Sequence, residues 1–325
     1  MNSTISSSLN FAHNLYRKVD NATYSSTFAF SEDLVEVSGQ EASNLILQSI
    51  ESNKPVIIGR FGSGELLGLL HYLNIRDNRP FLRKSLRYIV GRSTPFWWDR
   101  QIVDVLQYAG GLFPLNDETL NKFSELTLKS LPEINILGSW RKEEALVSNY
   151  LTNCTRVRLK DLEPYYHKEP WSKALKGKKV LVIHPFTDSI SKQYEKRKLL
   201  FRNADILPDF ELKTLASIFT TPGNNIPFDS WFDVYCHLCD EINNIDFDLA
   251  IIGCSTYSLP IAHHVKKMGK QAIQLGGATQ ILFGIRGRRW ENTEFFRGMF
   301  NKHWTRPMRS EYPTGHNTIE GGCYW

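Results

Sequence analysis

Long apolar runs are missing from this 325-residue chain. No stretch reaches the length needed to span a bilayer. The opening Met1-Asn-Ser-Thr-Ile-Ser-Ser-Ser-Leu-Asn10 has neither the basic start nor the apolar stretch of a secretory signal. A cytosolic protein is therefore expected, at most peripheral at the inner face of the membrane. Cysteine is sparse: Cys154, Cys236, Cys239, Cys254 and Cys323 form an odd, scattered set. This argues against a disulfide scaffold and for reduced thiols. Cys236-His-Leu-Cys239 has CxxC spacing, but no second CxxC or His pair lies near it. Zinc is therefore not expected, and a thioredoxin-type pair would sit at a helix start after a strand. The two cysteines read as buried residues of an amphipathic helix over 231–242. Fixed-period repeats and long flexible linkers are absent too. The net charge is only +5 and no nucleic-acid-binding motif is present, so nucleic acid is not an expected partner.

What is present suits a soluble globular enzyme. Hydrophobic residues make up 42% and charged residues 22% of the chain, enough to bury a sizeable core. Residues 1–44 are rich in Ser, Thr and Asn with weak periodicity and read as an arm or irregular layer. From 45 to 325 a single α/β domain is expected, with a candidate seam at 164–178. Short apolar runs recur before helical spacing: Pro55-Val-Ile-Ile58 before a helix at 65–72, Ile134-Asn-Ile-Leu137 before 141–150, Lys179-Val-Leu-Val-Ile183 before 189–202, and Asp248-Leu-Ala-Ile-Ile252 before 259–268. Gln271-Ala-Ile-Gln274 adds another strand. Strands alternating with helices predict a Rossmann-like α/β fold, a mainly parallel sheet with helices on both faces.

Several constellations fall at the carboxyl edge of that sheet, where open α/β folds bind ligands. Gly59-Arg-Phe-Gly-Ser-Gly-Glu65 is a glycine turn between strand and helix. Its backbone N–H groups, with Arg60, suit an anion. It is not a Walker A loop, which requires Lys and then Ser or Thr after the last Gly. Gly253, Ser255 and Tyr257 follow one strand, and Gly276, Gly277, Thr279 and Gln280 follow the next. His184 ends another strand and is a candidate acid/base or phosphate contact. Arg286, Arg289 and Trp290 interleave cations with an aromatic ring, which can neutralise phosphates and stack a base or sugar. Taken singly, each glycine can simply close a tight turn, and His184 can simply satisfy a loop carbonyl.

These strings resemble GT-D-type glycosyltransferases and related bacterial polysaccharide-biosynthesis proteins. The resemblance rests on Arg60-Phe-Gly-Ser-Gly-Glu65, His184-Pro-Phe, Phe247-Asp through Tyr257, Gly276-Gly-Ala-Thr-Gln-Ile-Leu-Phe-Gly-Ile285, Arg289-Trp290 and Glu320-Gly-Gly-Cys-Tyr-Trp325. It implies a nucleotide-sugar donor and a glycan or lipid-linked glycan acceptor. The donor contacts would be Arg60, Gly62, Ser63, Gly253, Ser255, Tyr257, Gly276, Gly277, Thr279, Gln280, Arg286, Arg289 and Trp290. Glu65 is the first choice for a general base or metal ligand, and His184 the second for a base or phosphate contact. The family carries an Asp-x-Glu after its Arg-Phe-Gly; this chain reads Ser63-Gly64-Glu65. With one carboxylate gone, Mn²⁺ or Mg²⁺ loses a hard oxygen ligand, and arginines are expected to take over much of the diphosphate neutralisation. Two other readings stand beside this one: another nucleotide- or phosphate-dependent enzyme on the same scaffold, and a non-catalytic binder of anionic glycan or lipid.

Overall fold

A computed structural model describes residues 3–19 and 34–325. Seven strands form one sheet: β1 (Val56–Gly59), β2 (Ile136–Ser139), β3 (Thr155–Arg158), β4 (Lys179–His184), β5 (Glu211–Ala216), β6 (Leu249–Ile252) and β7 (Gln271–Gln274). Their order is β3-β2-β1-β7-β6-β4-β5, and every pairing is parallel. The Rossmann-like α/β expectation therefore holds, with a sheet that is parallel throughout.

The α-helices of the described residues are α1 (Ser3–Val19), α2 (Gln40–Glu51), α3 (Ser63–Arg76), α4 (Phe81–Ile89), α5 (Arg100–Tyr108), α6 (Asp117–Ser130), α7 (Thr187–Glu195), α8 (Trp231–Asn243), α9 (Ser258–Lys267), α10 (Ala278–Leu282), α11 (Arg288–Glu291) and α12 (Glu294–Met299). Side chains of a strand alternate between the two faces of a sheet, and here both faces are dry. Val56, Ile58, Val180, Val182, Leu249, Ile251 and Ile273 join a core with α2, α7 and the segment after β7. Ile57, Leu181, Ile183, Ala250, Ile252 and Ala272 join a second core with α3, α6, α8 and α9. This explains why the inner strands are continuous apolar runs rather than alternating ones.

The two layers place the site. After β1 and β6 the chain crosses to the face of α3 and α9, whereas after β4 and β7 it crosses to the face of α7 and α10. Neighbouring strands therefore send their carboxyl-end loops in opposite directions, which opens a crevice at that edge.

Several expectations need correction. In place of an arm or irregular layer, Ser3–Val19 is a helix packed on α4, where the His13 and Tyr88 rings stack at 4.7 Å. Residues 20–33 of that arm lie outside the described residues. The run after β2 is a 3-10 helix, Lys142–Tyr150, pinned by buried Glu144, which accepts from the N–H groups of Trp140 and Arg141 at 3.1 Å each. The helix expected at 189–202 starts at Thr187 and ends at Glu195. The pair in α8 divides: Cys239 is buried, but Cys236 is exposed. Across 164–178 the chain runs in 3-10 turns that bury Trp171, and Ser43 Oγ of α2 donates to the Glu169 carbonyl at 2.8 Å.

Candidate active site

A cavity of about 800 Å³ opens at the carboxyl edge of the sheet, lined by the loops after β1, β4, β6 and β7 and by the C-terminal segment. Its volume falls in the range of small-molecule and cofactor pockets.

On the β1 side, the strand ends at Gly59 and α3 begins at Ser63. Gly62 leaves room there for the Glu65 carboxylate, which folds back over its own helix start: a Cβ at this position would come within 2.0–2.3 Å of it and displace it. Glu65 is half-buried. Desolvation raises its pKa above the ordinary carboxylate value; a hydrogen bond from its own backbone N–H and the charge of Arg60 oppose the rise, while Glu320 adds to it. Arg60 N–H donates to Gln274 Oε1 at 3.2 Å. The Arg60 guanidinium lies over the Trp140 ring, 5.0 Å from its centroid, and Trp140 Nε1 donates to the Phe61 carbonyl at 3.0 Å. Among the described residues, the buried Nε of Arg60 has no acceptor and Arg60 makes no ion pair. A cation held on an indole face with a donor unspent is poised for an anion.

On the β4 side, His184 is 3% exposed. Burial pushes its pKa down to about 3, so the ring is neutral at physiological pH. Its Nδ1 accepts from the Phe186 N–H at 3.0 Å, which leaves the proton on Nε2. His184 is thus built to donate from Nε2 rather than to take a proton, which favours the phosphate-contact role over the base.

The β6 and β7 loops meet closely. A Cβ on Gly253 would lie 2.7 Å from the Gly276 carbonyl, from the His184 ring and from Thr279 Oγ1. Gly276 itself has φ 59°, the left-handed region that favours glycine. Ser255 has φ 52° and donates from Oγ to the Ala109 carbonyl at 3.0 Å. Tyr257 is 2% exposed and stacks on Trp231 at 4.5 Å, while its hydroxyl donates to Thr220 Oγ1 at 3.1 Å.

The C-terminal segment closes the last side. Gln280 Nε2 donates to the Tyr324 carbonyl at 3.1 Å, and Arg289 Nη1 donates to the Tyr324 hydroxyl at 3.1 Å. Arg289 also pairs with Glu320, which has φ 47°. Among the described residues, three non-glycine residues have positive φ (Asn53, Ser255 and Glu320), and two of these line the cavity. Backbone strain of this kind concentrates at functional sites.

No family model matches the chain, and no curated protein matches it. Among solved structures, one titled as a selenomethionine-substituted domain of unknown function 1792 aligns with 86% of this chain and 93% of its own, at 14% identity and a TM-score of 0.37.

Of the residues singled out in the sequence, Arg60, Gly62, Ser63, Glu65, His184, Gly253, Ser255, Tyr257, Gly276, Gly277, Gln280 and Arg289 line the cavity. Thr279, Arg286 and Trp290 do not. Thr279 is wholly buried behind Gly253. Trp290 lies under Gly277, 3.6 Å from where a Cβ would stand. Arg286 leaves the cavity because its backbone joins the bridge between Ile285 and Thr305. Sequence reasoning missed Trp140, Asp104 and the stretch 217–221 as lining residues. It also missed Glu163, whose carboxyl burial pushes up to about 7 and which accepts from the Tyr165 hydroxyl. Only Trp140, next to an apolar strand, carried a signal that could have found it.

The donor set for a divalent cation is thin. Among the described residues, no three His, Cys, Asp or Glu side chains gather as metal ligands, and the Glu320 carboxylate is engaged by Arg289.

Proposed function

We propose that this chain is a glycosyltransferase that takes a sugar from a nucleotide-diphosphate donor and passes it to a glycan or lipid-linked glycan. The observation that carries the reading is Arg60: a guanidinium seated on Trp140, with a buried donor unspent, inside a cavity of about 800 Å³ at the edge of a parallel sheet. The resemblance of the glycine, arginine and C-terminal strings to GT-D enzymes narrows the anion to a sugar nucleotide.

In this mechanism the diphosphate lies between Arg60 and the Gly276-Gly277 turn, with His184 Nε2–H as a further donor. As the acceptor hydroxyl attacks the anomeric carbon, the bond from that carbon to the phosphate oxygen breaks. The nucleoside diphosphate leaves with the electron pair. Arg60 stabilises the growing charge, which is electrostatic catalysis of a departing anion. Glu65 accepts the hydroxyl proton; its raised pKa brings it nearer the working range of a general base. Among the described residues no three His, Cys, Asp or Glu side chains gather as metal ligands, so Arg60 and the backbone N–H groups carry the diphosphate charge in this mechanism.

Product analysis tests the reading. Glycosyl transfer, or slow transfer to water, releases the nucleoside diphosphate and loses it with Glu65→Gln. Release of nucleoside monophosphate and sugar 1-phosphate would instead point to another nucleotide-dependent enzyme on this scaffold. Binding without turnover by either route would favour a non-catalytic binder.

A further inference from the structure

Outside the cavity, α4 breaks the usual pattern of a surface helix. Its buried side is small, Ser85 and Tyr88. Phe81, Leu82 and Leu86 are 54%, 69% and 54% exposed, yet nothing polar separates them from cations, since Leu82 is followed by Arg83 and Leu86 by Arg87. Arg79, Lys84 and Arg92 lie on the same helix or its flanks, with Asp77 as the local acid, already paired with Arg79. Arg83 and Arg92 make no ion pair among the described residues. Burial, then the charges of Arg79, Arg83 and Arg92 working against that of Asp77, lower the Arg87 guanidinium from its ordinary value. Helix α1, packed on α4, exposes Phe11, Leu15 and Val19 at four-residue spacing.

We infer that α4, with α1 beside it, is a docking surface for a membrane containing anionic phospholipid. Apolar side chains interleaved with arginines on one helix match the two layers of a bilayer interface. Leucine and phenylalanine enter the acyl boundary while the guanidinium groups meet lipid phosphates. A soluble apolar partner would leave Arg83 and Arg92 desolvated and unpaired, which is costly; an anionic headgroup layer satisfies them. No helix among the described residues is long and apolar enough to cross a membrane, so the attachment is peripheral. The next helix, α5, contributes Val105 and Tyr108 to the cavity wall. The inference stands on this surface alone and does not depend on the chemistry of the cavity.

Co-sedimentation of the full chain with vesicles tests it, using phosphatidylcholine alone and phosphatidylcholine mixed with phosphatidylglycerol. The chain sediments with the mixed vesicles, and added salt weakens the binding. Each surface cation is worth about 1 kcal/mol, so Arg83→Ala with Arg92→Ala lowers the partition coefficient roughly thirtyfold. Leu82→Ser with Leu86→Ser lowers it by roughly tenfold or more. Both variants alter exposed side chains, and unchanged thermal melts verify their folds. Equal binding to both vesicle types, no binding to either, or full binding by the arginine variant overturns the inference. So does self-association that the leucine variant abolishes in a chain that ignores vesicles.

Discussion

Replacing Arg60 by methionine separates a binding arginine from a structural one, because the two roles move stability and affinity in opposite ways. Methionine keeps an unbranched apolar stem against Trp140 and removes the charge and the fork of donors. In the unliganded protein the change deletes a buried Nε without an acceptor, a group that costs about 1–3 kcal/mol when unsatisfied. It also deletes a guanidinium–indole contact at 5.0 Å, worth about 0.5–2 kcal/mol. These oppose each other, so the free energy of unfolding changes by between a loss of about 1 and a gain of about 2.5 kcal/mol. Binding has no such cancellation. Hydrogen bonds from a charged donor to phosphate are worth about 1.5–3 kcal/mol, so Kd for the nucleoside diphosphate rises roughly tenfold to a hundredfold. Urea unfolding without ligand and calorimetric titration with the nucleoside diphosphate read the two quantities separately. Arg60→Lys, which retains charge but not the fork, falls between. A variant that loses several kcal/mol of stability yet binds normally would refute the assignment.

Further outcomes follow from neighbouring residues. Glu65→Gln abolishes turnover, while the wild-type rate rises with pH through a pKa above the ordinary carboxylate value. Because the folded-state pKa of Glu65 is raised, folding favours its protonated form and loses stability as pH rises through that pKa. The glutamine variant is therefore more stable than wild type at neutral pH, which melts at several pH values check; equal melts at every pH would contradict it. Gly253→Ala drives a methyl to 2.7 Å from the Gly276 carbonyl and the His184 ring. Overpacking of this kind costs about 1–3 kcal/mol and splays two cavity walls, so both urea stability and ligand affinity fall together. Glu311→Ala strips the buried carboxylate that accepts from the N–H groups of Asp188, Ser189 and Met308 and from the Ser189 hydroxyl. Leaving those donors unpaired at the start of α7 costs about 3 kcal/mol or more in urea unfolding.

The sequence is most legible where strands are buried on both faces. β7 falls on Gln271–Gln274 as expected, and β1, β4 and β6 within a residue at each end, because an apolar run closed by a glycine or a histidine leaves few alternatives. β3 and β5 escape the same reasoning for a physical cause. They are the edge strands, and in Thr155–Arg158 only Val157 is buried, while Glu211–Ala216 has no buried residue. Their identity comes from pairing, Val157 against Gly138 and Lys213 against Leu181, which no local pattern encodes. The site follows the same rule. Glycines and cations after inner strands point to the cavity, since the strand end fixes where they must lie. Arg286 and Trp290 could not be placed this way, because their position depends on how the chain beyond α10 folds back through Thr305 and Tyr324. The partners of Trp140 and Glu320 escape for the same reason, since their contacts with Arg60 and Arg289 are tertiary.

The central claim is that the cavity holds a nucleotide-diphosphate sugar, and a thermal-shift panel addresses it most directly. The protein is melted with UDP-, GDP- and dTDP-sugars, and with a CMP-sugar as the monophosphate control that should give no shift, with and without Mn²⁺, since a ligand selective for the folded state raises Tm. The account predicts a rise with one nucleotide class, reproduced by its free nucleoside diphosphate and lost in Arg60→Met. No shift across the whole panel, or one that survives in Arg60→Met, would contradict it.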